Sequence, residues 1–144
     1  MIISSELKLL MEKAAKIRDE SWGNYITYSR KVFVPLTNMC RDTCGYCTFV
    51  KHPDSPESQI LTSKEVLDLA KRGEEKGCKE LLFSLGEKPE LRYDKARSAL
   101  LTLGYERLTD YLRDMCAMIL NETSLLPHVN AGTLTNEEIL SLKP

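Results

Sequence analysis

The stretch KVFVPLTNMCRDTCGYCTF, residues 31–49, decides the fold, because it runs from a strand straight into a loop with three cysteines. Its first seven residues, Lys31 to Thr37, hold the β-branched and aromatic side chains of a strand. Pro35 has no amide hydrogen for a ladder, which predicts an edge strand or the strand's end. Cys40, Cys44 and Cys47 follow in C-x3-C-x2-C spacing. Folds with parallel strands gather ligands at the strands' C-terminal ends, which is where this loop stands.

The flanking sequence supplies the rest of such a fold. Leu7, Leu10, Met11, Ala14 and Ile17 recur at helical spacing ahead of the strand. Residues 52–58, HPDSPES, are loop by composition. Thr62 to Glu65 form a capping box that opens a helix with Val66, Leu69, Ala70 and Gly73 on one face, and Gly77 closes it. KELLFSL, residues 79–85, is a buried-type strand ended by Gly86. A helix from about Tyr93 stops at Gly104, and another carries Leu108, Leu112, Met115, Cys116 and Ile119 at helical spacing. LLPHVN, residues 125–130, predicts a third strand, ended by Gly132. A second capping box, Thr135 to Glu138, starts a helix expected to reach Pro144.

This alternation predicts an α/β fold with a parallel sheet and right-handed crossovers. Each strand then delivers polar or sulfur groups to one end: Cys40 to Cys47, Gly86 and Glu87, and His128 with Asn130.

Twenty basic against twenty-one acidic residues leave a net charge of −1, with no compositional case for nucleic acid or an anionic membrane as partner. No apolar run approaches the roughly 18 residues of a membrane span, and residues 1–20 lack a signal peptide's apolar core. The expectation is one domain in the cytoplasm, where thiols stay reduced. Five cysteines, an odd number, also argue against a closed disulfide set.

A structural zinc site wants four ligands, and only one knuckle is present. Cys78 and Cys116 read as small buried hydrophobes, and His52 is a lone loop histidine. Three thiolates on one loop suit a cubane with one iron left open for chemistry. Gly45 permits tight backbone there, and Tyr46 offers an aromatic face on which a purine can stack. Arg41 and Lys51 favour thiolates or are simply solvated charge.

The three-cysteine spacing with an aromatic in the last gap resembles the signature of the radical S-adenosylmethionine (SAM) superfamily. That resemblance implies a [4Fe–4S] cluster on Cys40, Cys44 and Cys47, with SAM as second cofactor. It implies that Tyr46 lies against the adenine, and that Gly86 and Glu87 match the family's Gly-Gly-Glu-like turn, one glycine short, beside the methionine amino group. It also implies a partial (β/α) barrel of six strands, of which residues 1–144 carry about the first three β/α units and residues 1–26 form a helical lead-in.

Residues 27–49, 82–90 and 125–135 are more specifically similar to FO synthase, in particular the CofG-type subunit of 7,8-didemethyl-8-hydroxy-5-deazariboflavin synthase. That likeness implies a lyase of deazaflavin coenzyme biosynthesis, acting on a hydroxybenzyl–ribityluracil adduct made by a CofH-type partner subunit, with an electron donor. His128 and Asn130 are then candidates to face substrate or SAM. The alternatives are another radical SAM synthase, or an iron–sulfur or zinc binding module without catalysis. The catalytic acid or base has no sequence signal.

Overall fold

The computed structural model describes residues 4–143. Helix α1 (Ser5–Trp22) is followed by strand β1 (Lys31–Thr37), helix α2 (Ser63–Glu75) and strand β2 (Glu80–Leu85). A 3-10 turn (Pro89–Leu91), helices α3 (Asp94–Thr102) and α4 (Leu108–Glu122), strand β3 (Leu126–Asn130) and helix α5 (Asn136–Ser141) complete the order.

The three strands form one parallel sheet in the order β1-β2-β3. The alternation of strands and helices therefore builds the expected α/β fold. Val34 and Leu36 of β1 and Leu81 and Phe83 of β2 point to one face. There they meet Val66 and Ala70 of α2, Leu100 of α3 and Leu108, Leu112, Met115 and Ile119 of α4. Gly73 belongs to this seam: a β-carbon on it would lie 2.7 Å from Cβ of Val32, so only glycine lets α2 sit this close to β1.

The opposite face carries Lys31, Phe33, Leu82, Leu126, His128 and Asn130, and no helix among the described residues covers it. Phe33 is 52% exposed and Leu126 63%.

Pro35 sits on an edge strand, and the register slips between it and Thr37. The slip turns two successive residues, Leu36 and Thr37, inward. Thr37 Oγ1 donates to the Gln59 carbonyl at 2.8 Å and accepts from the Met39 amide at 3.2 Å. This kink aims the cysteine loop over the end of β2.

Both capping boxes form, Thr62 with Glu65 and Thr135 with Glu138. Helix α5 stops at Ser141, short of the expected Pro144, which lies outside the described residues. Leu142 and Lys143 turn back on the carbonyls of Glu138 and Leu140. A residue before proline is also disfavoured in helix, so Lys143 is a poor place to continue one. Residues 1–3 of the helical lead-in lie outside the described residues, and α1 has no buried residue. No helix among those described is long and apolar enough to cross a membrane.

Candidate functional site

The loop after β1 is closed at its neck. The Lys51 amide donates to the Asn38 carbonyl at 2.8 Å, and the Asn38 side chain bonds the backbone of Glu57 and Gln59. Lys51 itself pairs with Glu57. Between these points stand the three cysteines, all free thiols.

They are not equivalent. Cys40 is half-buried, and its Sγ accepts from the Glu87 amide at 3.2 Å and from the Asp42 amide at 3.4 Å. Cys44 and Cys47 are exposed, joined by a turn in which the Cys47 amide donates to the Cys44 carbonyl at 3.2 Å. Tyr46 between them is 98% exposed. A β-carbon on Gly45 would meet nothing within 4 Å, so crowding does not require glycine in this arrangement.

The turn after β2 grips the first half of that loop. A β-carbon on Gly86 would lie 1.9 Å from the Met39 carbonyl oxygen and 2.8 Å from Cβ of Cys40. The close approach at this glycine is to the cysteine loop's own backbone. Glu87 accepts the Arg41 amide on its carbonyl at 2.9 Å, and its carboxylate takes the Arg41 guanidinium at 2.5 Å. The other carboxylate oxygen accepts the Thr133 amide at 3.3 Å. Burial pushes the Glu87 carboxyl up, but Arg41 and Thr133 outweigh it and hold its pKa below the usual value.

Beyond Glu87 the chain turns through Lys88, whose φ of 34° is left-handed. This turn carries neighbours of the cysteine loop that the sequence did not announce. Lys88 pairs with Glu138 at 2.7 Å, with both side chains about nine-tenths buried. Glu90, also buried, accepts the Leu108 amide at 3.1 Å and so caps α4 from a distance. Arg92 donates to the Arg41 carbonyl at 2.5 Å and lies over the Tyr93 ring. The one available signal was the run of charges, GEKPELR, directly after a strand-ending glycine.

His128 and Asn130 lie on the open face of the sheet but do not meet in one place. Asn130 pairs in register with Ser84, in the last row of the β2–β3 ladder, toward the end that carries the cysteine loop. His128 sits mid-strand and leans the other way. Its Nδ1 lies 2.9 Å from Lys31 Nζ and 3.3 Å from Glu80 Oε2, at the first residues of β1 and β2. The expectation of His128 at the mouth with the cysteines does not match this position.

His52 stands apart, with Nδ1 accepting the Asp54 amide at 3.3 Å and its ring edge-on to Tyr93. Cys78 and Cys116 are half-buried beside the core, and burial pushes the Cys116 thiol up to about 11.

Among the described residues no three His, Cys, Asp or Glu side chains stand together as a preformed metal site. The donor set nonetheless fits a group held by three thiolates. Three reduced thiols share one neck-tied loop, the first already receives two amide hydrogens, and the other two face open space. Amide hydrogens on sulfur favour the thiolate that metals require.

Comparison with known proteins bears on the same residues. The family model of the radical SAM superfamily matches residues 34–143. The chain is 46% identical to the FO synthase of Mycobacterium leprae, over 96% of this chain and 18% of that protein. It is 46% identical to the 7,8-didemethyl-8-hydroxy-5-deazariboflavin synthase of Methanobrevibacter smithii, over 92% of this chain and 38% of that one. The chain thus spans well under half the length of these relatives. Among solved structures, the FeFe-hydrogenase maturase HydG of Carboxydothermus hydrogenoformans superposes with a TM-score of 0.66 at 28% identity, over 96% of this chain and 29% of that one. Methylornithine synthase, at 20% identity and a TM-score of 0.63, shares the fold.

Proposed function

The chain belongs to the radical SAM superfamily, and we propose from this that it is the cluster-bearing part of an FO synthase of the CofG type. Cys40, Cys44 and Cys47 would hold a [4Fe–4S] cluster, with SAM beside it. When bound, these cofactors supply a 5′-deoxyadenosyl radical that removes a hydrogen atom from the substrate. The chain's own residues have the tasks of binding, orienting and shielding. Tyr46 offers a free ring face to the adenine. Gly86 and Glu87 set the wall beside the methionine end. Asn130, on the open face toward the C-terminal ends of the strands, is the candidate to face substrate.

The substrate proposed is the hydroxybenzyl–ribityluracil adduct delivered by a CofH-type partner, closed to FO with loss of ammonia. Identity of 44–47% to FO synthases across 96–97% of the chain supports that choice over other radical SAM synthases. The site is proposed as a lyase in deazaflavin coenzyme biosynthesis, with an electron donor as a further partner.

One observation carries the cofactor reading. The Glu87 amide meets Cys40 Sγ at 3.2 Å, so the three-thiol loop and the turn after the second strand form one surface. The test is anaerobic reconstitution with iron and sulfide, then addition of SAM and dithionite, with 5′-deoxyadenosine as the product measured. A reconstituted cluster that leaves SAM intact, even with the remaining barrel supplied, would point to a non-catalytic iron–sulfur module. Uptake of zinc in place of a cluster would point to a structural metal site.

A further inference from the structure

Glu87 hydrogen-bonds the first cysteine to the turn after β2. Its amide hydrogen goes to Cys40 Sγ at 3.2 Å and its carbonyl to the Arg41 amide at 2.9 Å. Its carboxylate spans two further groups, the Arg41 guanidinium at 2.5 Å and the Thr133 amide at 3.3 Å. The side chain of Glu87 is only 11% exposed. A β-carbon on Gly132 would lie 2.8 Å from its Oε2, so the β3–α5 connection closes over the carboxylate. Both carboxylate oxygens are therefore engaged within the protein. Arg41 is held in turn by Arg92, which donates to its carbonyl at 2.5 Å.

We propose that Glu87 is a positioning residue that presets Cys40, tying the loops after β1, β2 and β3 together, and that its carboxylate serves Arg41 and Thr133 and leaves ligand contact to the backbone. Cys40 is then the anchored ligand of the three. Cys44 and Cys47, exposed and joined by their own turn, complete the set when the metal group arrives. The proposal rests on the radical SAM reading only where a loaded cluster is measured.

The first measurement uses the reduced, cluster-free chain. Alkylation by iodoacetamide is followed at each cysteine by peptide mass spectrometry. Cys40 should react roughly tenfold more slowly than Cys44 and Cys47, from burial and from the strength of a bond to a thiolate. Glu87→Ala and Arg41→Ala should bring Cys40 to within about threefold of the other two, and Glu87→Gln, which keeps an acceptor for Thr133, should fall between. Helicity by circular dichroism identifies any variant that has simply unfolded. If these variants unfold, Thr133→Ala, which removes the Thr133 side-chain hydrogen bond to the Glu87 carboxylate and keeps the backbone, is read in the same way.

The second measurement uses reconstituted protein. Freeing the turn from Arg41 and Thr133 should let the amide of residue 87 move off the Cys40 sulfur. The cluster's midpoint potential and EPR signal should therefore shift in Glu87→Ala, with partial return in Glu87→Gln. An unchanged alkylation pattern in folded variants would overturn the proposal. So would an unchanged potential with SAM affinity alone reduced, since Glu87 would then be a direct ligand contact. Failure of the unmutated chain to bind iron would sink the cluster role of Cys40, Cys44 and Cys47 and leave the alkylation result standing.

Discussion

Gly86 and Met39 touch through their backbones: a β-carbon on Gly86 would stand 1.9 Å from the Met39 carbonyl oxygen, a distance no side chain can occupy. Met39 is buried, with its amide fixed on Thr37, so the loop cannot step back freely. Gly86→Ala must therefore displace the cysteine loop, at about 1–3 kcal/mol in stability. Because Cys40 follows Met39, iron incorporation should fall together with SAM binding. A variant that binds full iron and loses only SAM would place the crowding elsewhere.

The ligand set is testable by deletion. Replacing Cys40, Cys44 or Cys47 by Ala should each prevent assembly of a cluster of about four irons. Cys78→Ala and Cys116→Ala should retain the iron, because both thiols pack beside the core on the helix-covered side. Iron lost on removing Cys78 or Cys116 would refute the three-ligand arrangement.

The ion pair of Lys88 and Glu138 makes a pH prediction. Burial pushes the Glu138 carboxyl up, but hydrogen bonds from Lys88 and Thr135 overcome it and hold the pKa at about 2. A carboxyl depressed on folding contributes stability above its ordinary 4.5, and that contribution is lost as pH falls toward 2. The thermal midpoint of the wild type should thus exceed that of Glu138→Gln at pH 7, with the gap closing between about pH 4.5 and 2. Lys88→Ala should cost about 3 kcal/mol at neutral pH by leaving the carboxylate buried without its cation. A pH-independent gap would show that Glu138 acts through packing alone.

What could be read from the sequence was local chemistry. Both capping boxes join residues three apart, and the run Lys31 to Thr37 announced β1 with its exact bounds. The three cysteines likewise lie within eight positions. What could not be read depends on distant partners. Glu90 caps a helix that begins eighteen residues later, and Lys88 finds Glu138 fifty residues on. His128 was legible as a strand residue on one face. Its lean toward Lys31 and Glu80, away from the cysteines, depends on charges brought by two other strands. Helix α1 has the amphipathic spacing of a packed helix, yet none of its residues is buried.

Tyr46 should affect ligand binding and nothing else. It is 98% exposed, so Tyr46→Ala should leave stability and iron content unchanged. SAM affinity should drop by the loss of a stacking face, about 1–3 kcal/mol. Isothermal titration of the reconstituted protein separates the cases, and unchanged affinity would mean that the adenine lies elsewhere.

The last prediction separates cluster assembly from turnover. In this sheet β1 and β3 are both edge strands, and the face holding Phe33, Leu82 and Leu126 has no cover among the described residues. A groove of about 620 Å³ runs beside β3, lined by Leu120, Leu126, Val129 and Leu142. Parallel sheets are stable when both faces are covered, and open edges invite pairing. The related HydG structure continues well beyond the matched region, since this chain covers 29% of it. These 144 residues alone should therefore self-associate, or bind a fragment that supplies the next β/α units against β3. Cluster ligands are local to one loop, so iron should still load. FO formation should require the added units together with SAM, a reductant and the hydroxybenzyl–ribityluracil adduct. Size-exclusion chromatography with light scattering, iron analysis and chromatographic detection of FO on the same preparation check each part. A monomer of these 144 residues that turns the adduct into FO unaided would refute the division.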